Sequence, residues 1–220
     1  MAALCVGVVS SSACGGAQTP QDARTTVISL DRLDCGECGD ELAGKLAKQQ
    51  GVYKASFDKR RAELTVLAAP SVDVLSAAKR HRGSEEYELV LGAGKGKYLD
   101  WAKPPAGADV STIAKDGEDV PALEPHLSKG KVTVVDFSAT WCEPCRTLDT
   151  HMLEVVGKRT DVAYRKLDVG DWDTPLAQRY LKGIPNLPYV IVYDKNGQKL
   201  ETISGLDLKR LDAAIDKGSR

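Results

Sequence analysis

The segment Val132-Thr-Val-Val-Asp-Phe-Ser-Ala-Thr-Trp-Cys-Glu-Pro-Cys145 constrains this chain more than any other. Its apolar run is long enough for a buried strand, and the residues after Cys145, from Arg146 to about Lys158, have helical character. A Cys-x-x-Cys between strand and helix places the first thiol where unpaired backbone N–H groups and the helix dipole favour an anion. The thiolate is the form that attacks a disulfide, so Cys142 is expected to be the reactive sulfur and Cys145, one turn further in, the resolving one. Pro144 fits an early helical position, where a missing N–H costs nothing. A zinc half-site or an inert disulfide are the structural alternatives for the same spacing.

The six cysteines, at 5, 14, 35, 38, 142 and 145, include a second such pair about a hundred residues upstream. Two separated Cys-x-x-Cys units do not look like a scattered disulfide framework. With 30 Lys plus Arg against 31 Asp plus Glu, there is no basic field to hold nucleic acid through its phosphates. The 42% hydrophobic content suffices for packed cores, and 220 residues leave room for one large or two small domains.

Periodicity favours two. Thr26–Leu30 alternates like a strand, and Asp40–Gln50 carries Leu42, Ala43, Leu46 and Ala47 on one helical face. Val52–Asp58 and Ala62–Ala68 read as a hairpin, followed by a short helix over Val72–Arg80 and a strand over Tyr87–Leu91. The order βαββαβ over residues 25–91 predicts an α+β, ferredoxin-like domain. Residues 92–108 are rich in Gly and Pro without a period and read as a linker. In residues 109–220, strands at Val132–Phe137 and Val162–Val169, a helix near Thr174–Lys182, a strand pair at Tyr189–Tyr193 and Leu200–Ile203, and a closing helix at Leu208–Asp216 predict an α/β layer with a mostly parallel centre.

Val135-Asp-Phe-Ser-Ala-Thr-Trp-Cys-Glu-Pro-Cys145 resembles the active-site segment of thioredoxin-family oxidoreductases, and the likeness runs over residues 110–218. The resemblance implies a thioredoxin fold and exchange of dithiols with disulfides, with no organic cofactor and with electrons supplied by an upstream redox partner. Asp136 matches the family's buried acid, which relays a proton to and from the resolving cysteine, Lys166 its usual lysine partner, and Trp141 the tryptophan packed beside the site. The family places a cis proline opposite the cysteines, and the residue before it offers backbone groups to an extended substrate. Pro185 and Pro188 compete for that place; counting back from the turn at Gly197 favours Pro188, with Leu187 before it. Glu143 stands where cytosolic thioredoxins carry glycine, which leaves the direction of electron flow open.

The other pair, in Leu33-Asp-Cys-Gly-Glu-Cys38, falls between the first strand and first helix of the N-terminal unit. In placement and topology, residues 25–91 resemble the heavy-metal-associated domain of copper chaperones, with Arg32-Leu33 in place of the usual Gly-Met. The resemblance implies a soft metal such as Cu(I) at Cys35 and Cys38. A metal-handling protein whose thioredoxin domain keeps such thiols reduced is therefore the alternative function. A redox role is the other chemical reading of this pair, and a structural disulfide or a docking module are the plainer ones.

The start of the chain, an apolar run from Met1 to Val9, small residues from Ser10 to Ala13 and then Cys14, resembles a bacterial lipoprotein signal. It implies residues 1–24 as a signal and tail, a lipid anchor on Cys14, and a place in the periplasm or cell envelope. No segment approaches the roughly 20 apolar residues that span a bilayer.

Overall fold

The computed structural model describes residues 22–220. Cys5, Cys14 and the signal-like segment lie outside the described residues.

The first sheet is built from β1 (Arg24–Leu33), β2 (Val52–Asp58), β3 (Glu63–Ala68) and β4 (Glu88–Leu91), in the order β2-β3-β1-β4 with every one of these pairings antiparallel. Helices α1 (Gly36–Ala47) and α2 (Val74–Arg82) follow β1 and β3. Leu42 and Leu46 of α1 and Ala77 and Ala78 of α2 are buried in one cluster with Ile28, Leu30, Leu64 and Val66 of the sheet. Helix α1 begins a full turn earlier than the apolar period suggests. Cys35 is its N-cap, its Sγ accepting the N–H of Cys38 at 3.2 Å, so Cys38 sits inside the first turn and not on a loop.

Residues 92–108 are more than a connector. Two of them form β5 (Lys97–Tyr98), which pairs parallel with β1, and the buried Ser29 hydroxyl donates to the carbonyl of Gly92 at 2.7 Å. The fit is close: a Cβ added to Gly96 would lie 2.2 Å from the carbonyl oxygen of Arg61. Glycine is needed here so that backbone can meet backbone, which a composition-based reading registers only as looseness.

The second sheet runs β10-β9-β7-β8-β6, from β6 (Val110–Ala114), β7 (Val132–Ser138), β8 (Val162–Asp168), β9 (Tyr189–Tyr193) and β10 (Lys199–Ser204). Strands β6, β7 and β8 are mutually parallel, whereas β9 is antiparallel to β7 and β10 to β9. The sheet is mixed beside its parallel part: the short turn at 194–197 allows only an antiparallel return from β9 to β10, as the expected strand pair implies, whereas the antiparallel pairing of β9 with β7 joins strands distant in sequence. All seven residues of β7 are buried, as its unbroken apolar run implies. Helices α3 (Glu143–Lys158) and α5 (Leu208–Gly218) cover one face, where Leu148, Met152, Leu211 and Ile215 pack on Val134, Tyr164, Val190 and Val192. Val135, Phe137, Leu167 and Ile191 point to the other face, toward Leu176 of α4 (Pro175–Tyr180) and Leu181. These residues belong to the same buried cluster as the core of the first sheet, a cluster that also holds Trp141 and Cys142. No helix among the described residues is long and apolar enough to cross a membrane.

Candidate functional site

Cys142 caps the N-terminus of α3 with extended backbone, and its Sγ accepts the N–H of Cys145 at 3.2 Å. The capping role follows from the sequence. β7 ends in a short turn at Ala139, whose carbonyl accepts the N–H of Cys142 at 3.0 Å, and Pro144 starts the helix at a position with no donor to lose. The two sulfurs are joined as a disulfide. Cys142 is 4% exposed and Cys145 fully buried, so only the first can meet another protein's sulfur. Helix-end N–H groups aimed at Cys142 stabilise its thiolate once the bond is reduced.

Trp141 is anchored beside it by an indole N–H bond to the Gly170 carbonyl at 2.7 Å, and its ring lies 6.3 Å from that of Trp172. The Leu187–Pro188 peptide is cis. Leu187, Trp141, Trp172 and Cys142 line a cleft of about 560 Å³, together with Cys35 and Lys59. Trp172 carries no motif of its own, and only its approach to Trp141 brings it into the cleft.

Asp136 lies on β7 with no exposure, and its Oδ2 accepts the hydroxyl of Tyr164 at 2.7 Å. Among the described residues nothing hydrogen-bonds its Oδ1. Burial pushes its carboxyl up to about 7, against the opposing pull of the Tyr164 hydroxyl and the nearby Lys166 charge. Lys166 is not bonded to Asp136, although the two are register partners on β7 and β8. Its ammonium pairs instead with Asp149, a buried carboxylate on α3. That carboxylate takes the lysine because α3 covers the face of the sheet on which both side chains stand, bringing Asp149 directly over Lys166. The ammonium also lies 4.4 Å from the ring centre of Trp101. Neither Asp149 nor Tyr164 is visible as a site residue in the sequence. Asp149 falls at a helical position that the apolar period assigns to the core, where a charge is not expected.

Cys35 and Cys38 are also joined, and Asp34 completes a group of three potential ligand atoms within 4.8 Å of one another. Both cysteine pairs have the same local design: the first sulfur caps a helix and accepts the N–H of the second cysteine at 3.2 Å. The structure brings them to one place. The Gly36 N–H donates to the Trp141 carbonyl at 2.8 Å.

A family model described as Thioredoxin matches residues 121–217. The chain is 34% identical over 105 residues to thioredoxin from Equus caballus, covering 47% of this chain and 96% of that protein. It is 34% identical over 87 residues to thioredoxin from Ophiophagus hannah, covering 40% and 79% respectively. Among solved structures, the reduced thioredoxin pre-protein of Schistosoma mansoni is similar at 31% identity and a TM-score of 0.39, covering 50% of this chain and 99% of that one.

Proposed function

Because the chain belongs to the thioredoxin family and carries that family's thiol-disulfide oxidoreductase activity, we propose that it is an exported oxidoreductase that uses Cys142-Glu-Pro-Cys145 to exchange disulfides with protein substrates. The supporting observation is Cys142 itself, a sulfur at a helix N-terminus, at the floor of a cleft, with its partner cysteine fully buried behind it. The Cys142 thiolate attacks a substrate disulfide, and a mixed disulfide forms as the substrate's second sulfur leaves. The Cys145 thiolate then attacks Cys142, which closes the protein's own disulfide and frees the reduced substrate. Asp136, held near neutrality, takes the proton that Cys145 must lose, since a base works best with a pKa close to the working pH. Lys166 sets the local charge through Asp149. Leu187, ahead of the cis Pro188, offers the backbone along which an extended substrate aligns. No organic cofactor takes part, and a dithiol of an upstream protein restores the reduced form. Export and attachment at Cys14 rest on the signal-like order of residues 1–24 and place the protein in the periplasm or cell envelope.

Residues 25–91 are read as a ferredoxin-like unit of the heavy-metal-associated kind, supported by the antiparallel order β2-β3-β1-β4 and by a Cys-x-x-Cys at the start of α1. One observation favours metal handling as a second reading: once reduced, Cys35 and Cys38 would offer two thiolates with the Asp34 carboxylate beside them. A carboxylate in the donor set suits a borderline ion such as Zn(II) better than Cu(I).

Reduction of insulin by the purified protein in the presence of dithiothreitol tests the main reading. Turnover is expected from the wild type and should vanish in Cys142→Ser. Activity that survives that substitution removes the assignment.

A further inference from the structure

The leading cysteines of the two pairs, Cys35 and Cys142, share one cleft, and the contact that joins the pairs is made by the residues next to these sulfurs. Gly36 follows Cys35, Trp141 precedes Cys142, and the N–H of the first meets the carbonyl of the second at 2.8 Å. Standard backbone dimensions added to that 2.8 Å bond put the Cα atoms of Cys35 and Cys142 at most about 8 Å apart. Bridged cysteines have Cα atoms roughly 4.4 to 6.8 Å apart, so the two sulfurs can join after at most a small shift of one loop.

The approach is built, not incidental. A Cβ on Gly36 would lie 3.1 Å from the Cβ of Trp141 and 3.3 Å from its carbonyl oxygen, so glycine lets the two loops approach without displacing either by a few tenths of an ångström. Arg146, one residue past Cys145, donates from Nε to the Asp34 carbonyl at 3.3 Å and from Nη2 to the Thr140 carbonyl at 2.9 Å. These two bonds fasten the loop of one pair to the loop of the other, and the guanidinium also sits 4.9 Å from the ring centre of Trp101. Arg60 and Asp116 add an ion pair at 2.8 Å between the two sheets' loops. Lys59 lies in the cleft with both leading cysteines, 5.5 Å from the centre of the Trp141 ring and paired with Asp40 at 3.0 Å, so it ties α1 to the cleft wall.

We propose that Cys35–Cys38 is an internal redox partner of Cys142–Cys145, and that the two pairs exchange electrons within one chain. The proposal rests on the exchange activity of Cys142 and identifies a substrate of that site inside the protein. The Cys142 thiolate attacks Sγ of Cys35, the sulfur that faces the cleft. The Cys35–Cys38 bond breaks, Cys38 leaves as a thiolate and takes up a proton, and a Cys35–Cys142 disulfide forms. Cys145 gives up its proton and attacks Cys142, and Cys35 leaves as a thiolate that is protonated in turn. Two electrons have passed, and the two protons taken up by Cys38 and Cys35 balance the one Cys142 lost on ionising and the one Cys145 gave up: the pair at 142 and 145 is oxidised and the pair at 35 and 38 reduced. The upstream dithiol that serves the exchange reaction then reduces Cys142–Cys145 again. Holding both leading cysteines in one cleft makes the attack intramolecular, which favours it over encounters between separate molecules.

Two measurements on the full chain test this. In Cys38→Ser/Cys145→Ser each leading cysteine has lost its resolving partner. Oxidation with diamide should therefore yield a Cys35–Cys142 disulfide within monomers, found by non-reducing peptide mapping and independent of protein concentration. In the second, limiting dithiothreitol is added to the fully oxidised protein and the loss of Cys35–Cys38 is followed. Cys142→Ala should slow that loss at least tenfold. Absence of the internal cross-link, or equal rates with and without Cys142, overturns the relay. Insulin reduction by the wild type separates the two claims. If insulin is reduced and no cross-link forms, the relay alone falls; a cross-link without insulin turnover keeps the relay and removes the proposed function.

Discussion

Replacing Asp136 with Asn should change how stability depends on pH, by an amount the structure sets. The carboxyl moves from 3.8 to about 7 on burial. A group whose folded pKa is raised binds its proton more tightly in the native state, so its contribution is complete below the unfolded pKa near 4 and is lost as pH rises through 7. Each unit is worth about 1.4 kcal/mol, so the whole shift amounts to about 4 kcal/mol, of which about 3 kcal/mol is lost between pH 5 and pH 8. Asn at this position does not titrate. Its amide nitrogen would sit where Oδ1 now has no partner, at a cost of about 1 to 3 kcal/mol that is the same at every pH. The assay is urea unfolding of the oxidised proteins at half-unit steps from pH 5 to pH 8, followed by tryptophan fluorescence. The wild type should lose about 3 kcal/mol relative to the variant across that range. Parallel curves would show that Asp136 is ionised throughout, and the buried-acid explanation of proton transfer would fall with them.

Three further outcomes follow from the packing and the charges. Asp149→Asn removes the anion from a buried pair and leaves the Lys166 ammonium in a largely apolar setting, so unfolding at pH 7 should show a loss of about 3 kcal/mol; the double variant with Lys166→Met should recover much of it, and a double variant no better than the single one contradicts the pairing. Met152→Ala empties a fully buried position between α3 and the sheet and should cost about 2 to 5 kcal/mol; a change below about 1 kcal/mol would mean that the site collapses around the gap. Labelling of the expressed protein with a radioactive fatty acid should be lost in Cys14→Ser, and label that persists rules out that cysteine as the anchor.

Much of the catalytic half was legible because its signals are local. A fully buried β7 follows from an uninterrupted apolar run, the cap at Cys142 from the spacing of two cysteines around a proline, and the hairpin of β9 and β10 from the turn at Asp194–Gly197. What depends on contacts distant in sequence was hidden. β6 is five residues with two polar ones, and it becomes a strand only because β8 pairs with it. The antiparallel pairing of β9 with β7, the pairing of Lys166 with Asp149 and the bond from Tyr164 to Asp136 all join residues distant in sequence, which no period reports. Cys35 and Cys142 illustrate the point most clearly. Each motif was visible alone, and their meeting depends on contacts of Gly36 and Arg146 with residues more than a hundred positions away.

The central claim is that the helix N-terminus makes Cys142 the attacking thiolate, and pH-dependent alkylation tests it most directly. The reduced protein is treated with iodoacetamide at a series of pH values, and the modified cysteines are identified by mass. Cys142 should react well before Cys145, with a midpoint clearly below the roughly 8.5 of a free thiol. Preferential labelling of Cys145, or a Cys142 midpoint at or above that value, would contradict it.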